Sequence, residues 1–130
     1  MIVVIDDEPS ILEMLKIAFS QRFGDAYQIE TFSNGASAVR FIQGHKGLVE
    51  VCIVDYAMPV QNGDTVARQI KSIDKNIFMI MMSGFVDFRI AEPLLKERLI
   101  YQFFNKPINL GRLCDATDTA IQLYMKRQAL

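Results

Sequence analysis

The feature that most limits how this chain can fold is the recurrence of short apolar runs at residues 2–5, 27–32, 49–54, 77–82 and 101–104, roughly 25 residues apart. That spacing leaves room for one helix between each pair of runs. The runs at 2–5, 51–54 and 77–82 are continuous rather than alternating, the pattern of strands covered on both faces. The expected fold class is therefore α/β, a doubly wound parallel sheet of five strands with five helices. At 130 residues and 51% hydrophobic content the chain can bury one full core, and a second folded domain has no room, so residues 1–130 read as one domain.

The intervening segments fit helices. Pro9 and Ser10 open one carrying Ile11, Leu12, Leu15, Ala18 and Phe19 on a single stripe, and Gly24 closes it. Asn34 and Gly35 precede a short helix using Val39, Phe41 and Ile42. Gly63 and Asp64 precede another, with Val66, Ile70 and Ile73 on its buried face. In the segment from Asp87 to Arg98, Pro93 must either begin the helix or kink it. Asn109 can cap the last helix, whose stripe of Leu110, Leu113, Thr117, Ile121 and Tyr124 runs almost to Leu130 without a stop signal. That ending suits a frayed terminus and a domain joined to a further one equally well.

Charge and cysteine usage exclude several classes of function. Fourteen basic residues face fifteen acidic ones, so no global excess points to nucleic acid or an anionic membrane. Cys52 and Cys114 form no CxxC pair and read as reduced core thiols. With no basic leader, long apolar leader or membrane-length run, the expected location is cytoplasmic. His45, between Gly44 and Lys46, reads as a solvated loop residue, and the methionines Met79, Met81 and Met82 as core fillers.

In a right-handed doubly wound sheet all strands end at one edge, and ligands bind there. Asp6, Asp7 and Glu8 follow the first strand, Asp55 ends the third, Ser83 and Gly84 follow the fourth, and Lys106 and Pro107 follow the fifth. Three carboxylates within ~5 Å of one another repel by about 3 kcal/mol per pair at an effective dielectric near 20. A hard divalent cation relieves this, and Mg²⁺ suits carboxylate, water and phosphate oxygens. Lys106 can hold a phosphate oxygen as a point charge, Ser83 can donate a hydrogen bond to another, and Asp55 is a nucleophile able to form an acyl phosphate. The reaction that uses all these parts is phosphoryl transfer to an aspartate. Singly, an Asp-Asp pair, a Lys-Pro or a Ser-Gly is usually an ordinary turn. Their appearance together at four strand ends carries the argument.

The segments IVVIDDEP, VCIVDYAMPVQNG, IMMSGF and FFNKP, in that order, resemble the motif set of response regulator receiver domains of two-component signalling, over essentially the whole chain. The resemblance implies a flavodoxin-like, chemotaxis-regulator-like sheet of order 2-1-3-4-5. It implies Asp55 as the phosphorylation site, with Mg²⁺ held by Asp7, Asp55 and the backbone carbonyl of Ala57, and by Asp6 through water. Lys106 and Ser83 would contact the phosphoryl group, and the Lys106–Pro107 bond would be cis. Phe103, three positions before the lysine, is either a rotamer switch or a plain core residue, and the readout surface is the face of the fourth helix, fifth strand and fifth helix. Ala57 and Phe85 replace polar residues that often orient the hydrolytic water, which implies a long-lived phosphoryl state. The implied partner is a sensor histidine kinase or a histidine phosphotransfer protein, a homodimer is left open, and catalysis is limited to the domain's own phosphorylation and dephosphorylation. Three rival readings stand beside this one: a phosphorylation-independent interaction domain, an aspartate-nucleophile hydrolase and a small flavin carrier.

Overall fold

Ile2–Ile5 form β1 and are fully buried, as an apolar strand must be when both of its faces are covered. In chain order there follow α1 (Pro9–Phe23), β2 (Ile29–Phe32), α2 (Gly35–Gln43), β3 (Val51–Asp55), α3 (Gly63–Ile73), β4 (Phe78–Ser83), α4 (Phe88–Lys96), β5 (Gln102–Asn105) and α5 (Leu110–Ala129). The computed structural model describes residues 1–84 and 88–129. All strand pairs are parallel, in the order β2-β1-β3-β4-β5. The doubly wound sheet and its order are therefore as expected.

Strand alternation divides the core into two layers. Val3, Ile5, Cys52, Val54, Met79 and Met81 pack with residues of α2, α3 and α4. Ile2, Val4, Val51, Ile53, Ile80 and Met82 pack with α1 and α5 on the other face. Each fully buried aliphatic side chain of this kind contributes about 1.5–3 kcal/mol. Cys52 and Cys114 are free and buried, and burial pushes both thiols up from their ordinary values, so they serve as small core residues.

Helix ends follow the local chemistry closely. Asn34 caps α2 by accepting from the Ser37 N–H at 2.8 Å, and Asn109 caps α5 by accepting from the Arg112 N–H at 3.1 Å. Gly24 follows α1 at φ 59°, in the left-handed region. The chain then makes a 3₁₀ turn, Gly24–Ala26, so β2 starts at Ile29 rather than at residue 27. Tyr27 packs its ring edge-on against Phe23 at 5.7 Å instead of joining the sheet.

One open alternative is resolved and one local expectation needs correction. Pro93 lies in the interior of α4 rather than at its start, forgoing one backbone hydrogen bond, and α4 stops one turn later at Lys96. Arg98 then sits at φ 61°, with Arg98 N–H donating to Leu95 O and Leu99 N–H to Leu94 O, the two bonds of a Schellman ending. His45 is not a solvated loop residue. Its ring is partly buried and stacks on Phe41 at 4.0 Å, and Nδ1 lies 2.7 Å from the Phe41 carbonyl, because the turn after α2 folds back on the helix. Asp87 and Phe85 lie outside the described residues.

Candidate functional site

The parallel register brings the expected residues to one edge. Asp55 closes β3 opposite Met82 of β4, and Ser83 closes β4 opposite Asn105 of β5. Backbone hydrogen bonds lock the flanking positions: Asp6 N–H donates to Phe32 O at 3.1 Å, Tyr56 N–H to Met82 O at 2.8 Å and Lys106 N–H to Ser83 O at 2.8 Å. The Lys106–Pro107 bond is cis.

Lys106 joins the carboxylates. Its Nζ donates to Asp6 Oδ2 at 2.8 Å and lies 3.4 Å from Asp55 Oδ2 and 3.6 Å from Glu8 Oε1. Asp6 and Asp55 are almost wholly buried, whereas Asp7 is exposed at the rim. Asp6 Oδ1 accepts from the Glu8 N–H at 2.9 Å, while Asp55 Oδ1 is buried with no hydrogen-bond partner among the described residues. Oxygens of Asp6, Asp7 and Asp55 fall within 4.8 Å of one another. An orphaned buried carboxylate oxygen beside two further acids is what a hard divalent cation would satisfy, and the donors are all oxygens. The residues fit such an ion.

Ionisation is strained accordingly. Burial pushes the Asp55 carboxyl up to about 6, the nearby Asp6 charge pushes the same way, and Lys106 opposes them. Burial also raises Asp6 despite its bond to Lys106. For Lys106, burial alone would lower the ammonium, but the hydrogen bond to Asp6 and the charges of Asp6, Asp55 and Glu8 outweigh it and raise it.

Of the expected site residues, Asp6, Asp7, Asp55 and Lys106 come together, and Ser83 is buried at the adjoining strand end. Ala57 is exposed in the loop after Asp55. Phe103 is half-buried and packs on the α2/α3/α4 side of the core, a position compatible with both of its readings. Glu8 received no role from the sequence, although its place beside Asp6 and Asp7 was the signal for it. Gly63 was legible only as the start of a helix, yet it lies directly beneath the acid site: its N–H donates to Tyr56 O at 2.7 Å.

The β3–α3 loop carries strain next to this site. Val60 has φ 74° and is fully exposed, and the Gln61 N–H reaches Pro59 O at 2.9 Å across it, a γ-turn that a β-branched residue adopts poorly. Val60→Gly removes the clashing Cβ and no buried contact. It is expected to raise stability by about 1 kcal/mol, read as a higher urea midpoint at unchanged slope.

A model of the response regulator receiver domain matches residues 2–118. This chain belongs to that family. Among curated proteins, this receiver domain is 24% identical to the hydrogenase transcriptional regulatory protein HoxA of Bradyrhizobium diazoefficiens over 95% of its own length and 24% of that protein. It is 28% identical to response regulator protein TodT of Pseudomonas putida, over 94% of its length and 51% of that protein. It thus spans about a quarter and about half of the length of these two regulators. Sporulation initiation phosphotransferase F of Bacillus subtilis is matched at 25% identity over 94% of both chains. Among solved structures, a response regulator receiver domain protein of Clostridium thermocellum superposes with a TM-score of 0.87 at 28% identity, covering 99% of this chain and 98% of that one. The receiver domain is thus of the two-component signalling type, and among its described residues no helix is long and apolar enough to cross a membrane.

Proposed function

We propose that this receiver domain accepts a phosphoryl group on Asp55 in a Mg²⁺-dependent reaction, with a sensor histidine kinase or a histidine phosphotransfer protein as donor. The observation that supports it most strongly is the pairing of Lys106 with both Asp6 and Asp55 while the second Asp55 oxygen is buried and unsatisfied. Asp7, Asp55 and the Ala57 carbonyl would hold the ion directly, with Asp6 acting through water. The ion, when bound, supplies charge neutralisation for the carboxylates and for the incoming phosphoryl oxygens. An Asp55 oxygen attacks phosphorus, the new O–P bond forms as the bond to the donor breaks, and the donor leaves with that electron pair. The Lys106 ammonium stabilises the charge on the transferring group, and Ser83 hydrogen-bonds it.

Asp55 must be ionised to attack. Without the ion its carboxyl is raised to about 6 and is still largely deprotonated at neutral pH, and a bound cation favours the charged form further, so phosphorylation by a small-molecule donor at saturating Mg²⁺ is expected to fall only at a pH below about 6. The charge gained on Asp55 draws Ser83 towards it, and Phe103 then repositions, altering the α4–β5–α5 face. The same reading treats 1–130 as one receiver unit, confines catalysis to its own phosphorylation and dephosphorylation, and puts the domain in the cytoplasm with both buried thiols reduced. Direct contact of this domain with nucleic acid is not part of it, and homodimerisation of the phosphorylated form is compatible with it.

Incubation with Mg²⁺ and acetyl phosphate should add the mass of one phosphoryl group, and chelation of Mg²⁺ should prevent it. An equal mass gain in Asp55→Asn, or none in the parent protein, would refute the proposal. Ala57 offers no polar group to place a hydrolytic water, so the phosphorylated state is expected to be long-lived. Ala57→Asn should shorten its half-life several-fold, as followed by intact mass after donor removal; equal or faster loss from the parent protein would contradict this.

A further inference from the structure

At the end of the sheet opposite Asp55, the start of β4 and the connection from α4 to β5 border a cavity of about 440 Å³. Four cations line it, Lys71, Lys75, Arg98 and Arg127, and among the described residues its lining contains no carboxylate. Phe78, Leu95 and Leu99 give it an apolar wall.

Part of this charge has structural work. Lys71 Nζ donates to the carbonyls of Lys75 at 3.0 Å and Ile77 at 2.8 Å, and the Arg127 guanidinium lies 4.7 Å over the Phe78 ring. The C-terminal turns of α3, α4 and α5 supply Lys71, Leu95 and Arg127 to the lining, each helix end carrying about half a negative charge. Asp74 is the acid that acts on Lys71, and its two oxygens accept from the N–H groups of Gly47 and Asn76. Setting one carboxylate and three half-charges against four cations leaves roughly one to two positive charges in excess. Lys75 and Arg98 are exposed and form no ion pair among the described residues. Arg98 moreover occupies a left-handed position, φ 61°, where glycine would be unstrained, so the helix ending itself does not call for arginine.

We infer that this cavity binds a small organic phosphate, its phosphate held by Lys75, Arg98 and Arg127 and its carbon framework laid against Leu95 and Leu99. The positive excess matches a phosphate monoester, the guanidinium fork suits phosphate oxygens, and the volume exceeds what a bare ion needs while falling within the range of small-molecule sites. The inference is independent of the phosphoacceptor reading, since it uses the opposite end of the sheet.

The test is amide NMR on the full chain without Mg²⁺, titrated with adenosine 5′-monophosphate, adenosine and inorganic phosphate at millimolar concentration. The nucleotide should shift amides of residues 75, 78 and 98–101 and leave residues 6, 7 and 55 unmoved. Inorganic phosphate should bind the same residues at least about tenfold more weakly, and adenosine should shift none of them. Lys75→Gln combined with Arg98→Gln, both on exposed side chains, should weaken nucleotide binding by about tenfold or more with the fold intact. The inference is overturned if the nucleotide leaves these amides unshifted or if the double variant binds it as the parent protein does. Equal binding of phosphate and nucleotide, or shifts produced by adenosine alone, overturns it as well.

Discussion

In the absence of a divalent cation, Asp55→Asn is expected to raise the unfolding free energy at pH 7.5 by about 2–3 kcal/mol while abolishing phosphate acceptance. The sign follows from proton binding. The folded-state carboxyl of Asp55 titrates at about 6 against 3.8 for the ordinary group, so between these values the folded state holds more protons than the unfolded one. Stability then falls as pH rises through that window, and the whole penalty is present above it. Asp6 is raised in the same sense, so the parent protein without metal should be more stable at pH 5 than at pH 7.5. Millimolar Mg²⁺ should recover much of the loss at pH 7.5 in the parent protein and much less in Asp55→Asn. Urea unfolding at the two pH values, with and without Mg²⁺, reads all of these effects. A metal-free parent protein that gains stability from pH 5 to 7.5 would show that burial and neighbouring charge do not hold these acids above their ordinary values.

Gly63→Ala is the second large effect, and it acts through the backbone. A Cβ on Gly63 would lie 2.3 Å from the Asp55 carbonyl oxygen, 2.8 Å from Tyr56 Cα and 2.9 Å from the Asp55 carbonyl carbon. None of these atoms can swing aside as a side-chain tip would, so α3 must move off the end of β3 and the 2.7 Å bond from Gly63 N–H to Tyr56 O must lengthen. The expected loss is about 2–4 kcal/mol, measured by urea unfolding. Because Asp55 itself is displaced, phosphate acceptance should fall even under conditions where the variant is fully folded. A loss below about 0.5 kcal/mol with normal acceptance would mean that this junction does not position the acid.

The sheet was legible because its signal is repeated: continuous apolar runs at regular spacing, with Gly24, Asn34 and Asn109 marking helix ends. The site was legible for a related reason. Once the strands are parallel, Asp6, Asp55, Ser83 and Lys106 have only one edge to occupy, and no long-range contact has to be guessed. What escaped the sequence depends on closeness rather than on pattern. The demand on Gly63 comes from a strand end that an added Cβ would meet well inside van der Waals contact, and the stacking of His45 on Phe41 comes from a turn folding back. The grouping of Lys71, Lys75, Arg98 and Arg127 draws on three elements distant in sequence, none carrying a recognisable motif.

Asp55 is the group proposed to form the acyl phosphate, in a pocket completed by Asp6, Asp7 and Lys106. Reductive trapping with borohydride converts an aspartyl phosphate to homoserine and marks the residue that carried it. After incubation with acetyl phosphate and Mg²⁺, peptide mass analysis should find homoserine at position 55 alone, and none when Mg²⁺ is chelated. Homoserine at position 6 or 7, or label at position 55 that persists without any divalent cation, would contradict this assignment.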